Sequence, residues 1–248
     1  MERSLLSQSD PQLVAEAMPM LLVTLDALAQ DNPTMQRRSG ELRSTYASQF
    51  ISDAQRQKLH AEQAFADVRA GLCAKQARLC AALAQPPAEF EAVVAESKQI
   101  DWLFALASVW ATRIQVDAGN WQRLAELPKV RALMQRVIAL QPDYADGQAL
   151  ATLGVMAALL PPSLGGQPQQ ARDYFAQAYA ASDEHNLLYK VFDAEYVAWP
   201  QLDQQSFDAT IDTVLNADAA QWPAQWRLTN SLAQQRAQEL KDKANDWF

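Results

Sequence analysis

The stretch IDWLFALASVWATRIQVDAGN (100–120) decides the fold class. Ile100, Leu103, Ala107, Trp110 and Ile114 recur at steps of three and four, which is one face of an α-helix. Trp102, Phe104, Leu106 and Val109 fall off that stripe. A helix that is apolar on most faces is buried on most faces, so this segment reads as a central helix. Gly119 and Asn120 close it, as residue types common just past a helix end.

The same period extends in both directions. Val14, Met18, Leu21, Leu25 and Leu28 share a face, and Pro19 inside that run predicts a kink or the true helix start. Asp31-Asn32-Pro33 is a turn. Leu42, Tyr46 and Phe50 mark a second helix. A long polar-rich helix is expected over residues 53–85, with Leu59, Phe65, Leu72, Leu79 and Leu83, stopped by Pro86-Pro87. After the central helix, Leu127, Val130, Leu133, Val137 and Leu140 mark another, and residues 143–160 the next, ended by Pro161-Pro162. Ser163-Leu164-Gly165-Gly166-Gln167-Pro168 holds the chain's glycine pair. Helices follow with Ala171, Phe175 and Ala178; with Leu188, Phe192, Glu195 or Tyr196, and Trp199; with Phe207, Ile211, Val214 and Leu215; and with Leu228, Leu232 and Leu240. Strand-like alternation is absent. The expectation is an all-α fold of about 10–12 helices in stacked antiparallel pairs. No composition shift marks a boundary, so residues 1–248 read as a single domain, with residues 1–10 as a flexible N-terminal segment.

Composition agrees. The 248 residues are 49% hydrophobic and 20% charged, which excludes a disordered or fibrous chain. Only 7 are glycine, too few for the turns of a parallel α/β enzyme, whereas helix-favouring alanine and glutamine abound. Net charge is −8, without a basic tract, so neither nucleic acid nor an anionic lipid surface is an expected partner. Cys73 and Cys80 lie seven apart, about 10.5 Å along a continuous helix. A disulfide needs Cα atoms within about 7 Å, so a bridge requires the helix to break between them. No run of 18 apolar residues suggests a membrane span. Met1-Glu2-Arg3-Ser4 lacks a signal-peptide core, which leaves either a cytosolic protein or a chain beginning after a removed leader.

Ala171-x3-Phe175-x2-Ala178 resembles the second helix of a tetratricopeptide repeat, and Leu153-Gly154 its first helix, with about five extra residues between. Small residues let two helices approach, and Phe175 fills the gap between pairs. The strings LPKVRALMQRVIALQPDY (127–144), LGVMAALLPPSLGGQPQQARDYFAQAYA (153–180) and NLLYKVFDAEYVA (186–198) resemble the T component of TRAP transporters, the TatT family. MPMLLVTLDALAQDNP (18–33) and DAAQWPAQWRLTNSLAQQRAQEL (218–240) agree in order, so the resemblance spans roughly 18–240. It implies cryptic tetratricopeptide-like repeats and a periplasmic protein, often lipid-anchored through an N-terminal cysteine. The implied partner is a TRAP substrate-binding protein, the implied assembly a homo-oligomer with a trimer as the expected form, and the implied cargo a small organic acid or hydrophobic ligand. This sequence has no lipobox cysteine, so membrane attachment would rest on a leader outside it.

Residues that could carry chemistry are sparse. His60 and His185 lack metal-ligand spacing and read as lone surface histidines. There is no phosphate-binding glycine loop and no nucleophile elbow, so no enzyme, cofactor or metal is expected. Aromatic residues are more suggestive. Trp102, Trp110 and Arg113 share one helix; Leu164, Gly165, Gly166, Tyr174, Tyr189, Lys190, Glu195 and Tyr196 lie at or after the glycine turn. Together they are the candidate ligand or partner cleft, with Arg113 or Lys190 able to meet a carboxylate. Packing between helix pairs and structural ion pairs are the bland alternative for the same residues. Three readings follow: a non-enzymatic accessory protein for TRAP uptake, a small-ligand carrier with an aromatic-lined cleft, or a tetratricopeptide scaffold gripping a peptide.

Overall fold

A computed structural model describes residues 2–160, 163 and 165–244. These residues are helical without strands, and the chain is 79% helix. The helices are α1 (Glu2–Leu6), α2 (Pro11–Ala29), α3 (Pro33–Gln49), α4 (Ala54–Lys75), α5 (Ala77–Ala82), α6 (Pro87–Glu96), α7 (Ile100–Gln115), α8 (Trp121–Leu124), α9 (Leu127–Leu140), α10 (Gln148–Ala158), α11 (Pro168–Ala181), α12 (Leu188–Asp193), α13 (Gln204–Leu215) and α14 (Arg227–Ala244). Short 3₁₀ turns cover Tyr144–Gly147, Ala219–Gln221 and Ala224–Trp226, and a π-helical turn covers Ala194–Ala198. The chain divides into two compact units: residues 15–140, and residues 1–14 with 141–248.

In the unit of residues 15–140, α7 is central. Leu103, Ala105, Leu106, Ala107 and Val109 have no exposed surface, and α3, α4 and α9 pack around the helix. α3 begins where Asn32 accepts hydrogen bonds from the Thr34 and Met35 amides, with Pro33 in the first turn. α3 and α4 lie unusually close. A Cβ built on Gly40 would stand 2.7 Å from the Ala64 carbonyl oxygen, so only glycine fits there. Ala61, Ala64, Val68 and Leu72, small side chains for the most part, form the buried face of α4. Leu59, expected in that core, is exposed.

The long helix expected over residues 53–85 breaks at Gln76, whose φ of −138° and ψ of 69° leave helical space. The break brings the Cα atoms of Cys73 and Cys80 to 4.9 Å, and the two form a disulfide. Only along an unbroken helix would the two cysteines lie too far apart to bridge. Closing so short a loop stabilises the fold by about 2.5 kcal/mol in the chain-entropy account.

α2 starts at Pro11, capped by Asp10, which accepts from the Gln12 and Leu13 amides; Pro19 is interior to it, not its start. Val14, Met18, Leu22 and Ala29 are buried, while Leu28, expected on that face, is exposed with Leu13, Met20 and Val23. By length and composition α2 is apolar enough to cross a membrane, and only 22% of its most apolar window is buried, with Val14, Met18 and Leu22 on the covered face. A count of uninterrupted apolar residues passes it over because Glu16, Pro19 and Asp26 intervene.

In the other unit, α10 pairs with α11, and α12 with α13 and α14. The helix expected from residue 143 starts only at Gln148, because Ala145, Asp146 and Gly147 take successive left-handed conformations (φ 50°, 54° and 79°). Gly147 is obligatory twice over: its φ is positive, and a Cβ would lie 2.9 Å from the Ala178 Cα. Tyr189 Oη donates to the Asp146 carbonyl at 3.0 Å and holds this turn. Gly154 faces the Phe175 ring, where a Cβ would come within 2.6 Å of Cε1. Phe207, Val191, Ile211 and Val214 centre a core closed by Ala233 and Ala237 of α14. Buried Asn230 ties α14 to the start of α12, accepting from the Leu187 amide and donating to the His185 carbonyl, both at 3.0 Å. The π turn shifts the helical phase after Asp193, with the Trp199 amide donating to the Ala194 carbonyl at 2.9 Å. That shift is why the sequence left Glu195 and Tyr196 undecided as the buried position.

Gly154→Ala should therefore destabilise the protein by about 1–3 kcal/mol, because Phe175 has to move off its rotamer or the helices part. Gly119→Ala, where a Cβ meets nothing within 4 Å, should stay within about 0.5 kcal/mol of the parent. Urea denaturation of the two variants measures the difference.

Candidate functional site

The sequence candidates fall into two groups, one in each unit, except Leu164, which lies outside the described residues. On α7, Trp102 is buried against Gly71, with the Arg37 guanidinium 5.6 Å from its ring centre. Trp110 Nε1 donates to Glu126 at 2.7 Å, and its ring meets Phe65 and Phe90. Arg113 lies over the Phe65 ring at 4.3 Å and pairs with Glu62 at 2.9 Å and Glu126 at 3.5 Å. The donors of Arg113 thus already face two carboxylates. These three side chains knit α7 to α4 and to the segment around α8.

In the other unit, Gly165 is exposed with φ of 94°, Gly166 is half-buried, and the Gln167 amide closes the turn on the Ala157 carbonyl at 2.8 Å. Tyr174 is half-buried on α11. Glu195 is 9% exposed and takes a two-pronged ion pair from Arg236 of α14. Tyr196 packs edge-on against Phe192, and burial pushes its hydroxyl pKa up to about 12.

Tyr189 and Lys190 do share a cleft, of about 500 Å³. α11 supplies Arg172, Phe175 and Tyr179 to it, α12 supplies Tyr189, Lys190 and Asp193, and α13 supplies Ala209, Thr210 and Thr213. Lys190 Nζ sits 4.3 Å from the Tyr179 ring centre, a cation–π contact. Arg172 Nε pairs with Asp193 at 3.3 Å, and its Nη2 lacks a hydrogen bond, with Asp203 at 3.9 Å. Burial raises the Asp193 pKa, opposed by the Arg172 charge. Burial, and then the Glu184 charge, raise that of Tyr179. The sequence search missed Arg172 and Asp193. Arg172, Phe175, Ala176 and Tyr179 follow an i, i+3, i+4, i+7 rhythm, so one face of α11 was readable; its neighbour on α12, 21 residues on, was not.

A second cleft, of about 330 Å³, lies in the unit of residues 15–140. Its centre is Arg43, 7% exposed. Nη2 binds both oxygens of Asp26 at 2.6 and 2.5 Å, Nε meets Asp67 at 3.3 Å, and Nη1 meets Gln63 at 3.1 Å and His60 Nδ1 at 3.4 Å. A guanidinium so surrounded joins α2, α3 and α4. His60, expected on the open surface, is half-buried here, while His185 is exposed. Among the described residues, no group of three or more His, Cys, Asp or Glu side chains is arranged to hold a metal ion.

Burial, and then the Arg43 charge, lower the His60 pKa. The unfolded chain therefore binds the His60 proton more readily than the folded one, and stability falls as pH drops below the unfolded value of about 6.5. The slope is bounded by about 1.4 kcal/mol per pH unit for one proton, and solvent screening keeps it smaller for a half-buried ring. Urea titrations at pH 7.5 and 5.5 should show a loss at the lower pH that His60→Gln reduces.

The family description "TRAP transporter T-component" (TAtT) matches residues 7–248, nearly the whole chain and more than the resemblance read from residues 18–240. No curated protein matches it significantly. An all-helical chain that matches this description from residue 7 to its last residue belongs to the TRAP transporter T-component family and has a role in TRAP transport.

Proposed function

We propose that this chain is a non-enzymatic periplasmic accessory protein that associates with a TRAP substrate-binding protein and assists uptake of a small organic acid or hydrophobic ligand. The family match over residues 7–248 is the observation that carries the reading. The Cys73–Cys80 disulfide supports the location, because such bridges persist in oxidising compartments and are rare in the cytosol. Stacked helix pairs such as α10–α11, with glycine facing Phe175, support a tetratricopeptide-like docking platform in a single working protein. The chain assembles as a homo-oligomer, with a trimer as the expected form. A second reading, a small-ligand carrier, is supported by the 500 Å³ cleft, whose size is typical of small-molecule sites.

Isothermal titration of the purified chain with the substrate-binding protein of its TRAP system tests the partner. Saturable binding tighter than tens of micromolar is expected, and no association there would contradict it. Light scattering of the same sample should give about three times the 27.5 kDa chain mass; a monomer would remove the oligomer.

A further inference from the structure

The cleft of α11, α12 and α13 has a chemical polarity of its own. One wall is aromatic, from Phe175, Tyr179 and Tyr189. From α13, Ala209 adds a small side chain to the lining and Thr210 a hydroxyl. Arg172 and Asp193 pair with each other, so their charges largely cancel inside the cleft. Glu184 also lines the cleft; it is exposed to water, its charge acts on Tyr179, and the Lys190 charge acts on Asp193. Lys190 is different. It is half-buried, its ammonium rests on the Tyr179 ring, and among the described residues no carboxylate lies within ion-pair distance of it. The interior thus offers one cation that lacks a counter-ion in contact, beside an apolar surface.

We infer that this cleft binds a small monocarboxylate with an aromatic or branched apolar body, its carboxylate at Lys190 and its body against Tyr179 and Phe175. A cation on an aromatic face attracts an anion without giving up its ring contact, because the ammonium has three donors. A second carboxylate on the ligand would meet Asp193 or Glu184, so dicarboxylates are disfavoured. An amine would meet Lys190 itself. This inference rests on the ligand-carrier reading and is independent of any partner protein.

The test uses the full chain and three probes of similar bulk: 3-phenylpropionate, 3-phenylpropanamide and phenylsuccinate. Binding is read by titration calorimetry and ligand-detected NMR. The carboxylate should bind at least tenfold tighter than the amide or the diacid. Lys190→Gln, checked for an unchanged circular dichroism spectrum, should remove that advantage. Ala209→Phe, which fills the cleft, should abolish binding of all three. Equal affinities, or a Lys190→Gln protein that keeps the preference, would overturn the inference. Tighter binding of the amide, blocked by Ala209→Phe, would overturn the ligand class and leave a carrier. Silence of all three probes up to millimolar concentration overturns the inference; a native mass spectrum that also shows no retained ligand removes the carrier reading with it.

Discussion

Glycine set against a neighbouring helix fixes the spacing in both units. At Gly40 the neighbour is the α4 backbone at Ala64, and at Gly154 it is the Phe175 ring. A side chain at either point would push two helices apart, and every contact further along them would shift. In the α10–α11 pair the consequence reaches the cleft. Phe175 faces Gly154, and Arg172 and Tyr179 lie on neighbouring turns of the same helix. Gly147 at the base of α10 sets a second close approach, to Ala178, and Tyr189 locks the turn that contains it. The aromatic wall of the cleft and the lock on the turn are therefore partly the same side chain.

Charged groups do different work at different depths. Arg43 joins three helices from a nearly buried position and has its donors met by Asp26, Asp67, Gln63 and His60. Removing one partner from such a node leaves charge unmatched, which is why nodes of this kind are costly to break. Glu195 with Arg236 ties the π turn to α14 in the same manner. Lys190 contrasts with both, since among the described residues its ammonium rests on the Tyr179 ring and no carboxylate lies within ion-pair distance.

Much of the fold was legible because the helical period is strong: α7, α9, α11 and α13 appear where the apolar stripes place them. Three features were not. The break at Gln76 has neither proline nor glycine at it, so nothing local announced it, and the disulfide depended on it. The α4 core face is made of Ala61, Ala64, Val68 and Leu72, whose small members weigh little in a hydrophobicity pattern, and Leu59 was read in their place. The π turn at 194–198 moves the buried face by a fraction of a turn, beyond the reach of a fixed period. Site residues divide by range. Tyr189 and Lys190 were visible as an aromatic and a cation in sequence, yet their cleft partners Arg172 and Asp193 come from helices whose facing could not be read in advance.

As a member of the TRAP transporter T-component family, this protein has a role in TRAP transport. Uptake of the TRAP system's own radiolabelled substrate, in cells lacking this chain and in cells with it restored, tests that claim most directly. The account predicts that uptake falls without the chain and returns with it, while the amount of substrate-binding protein stays constant. Unchanged uptake in its absence would contradict it.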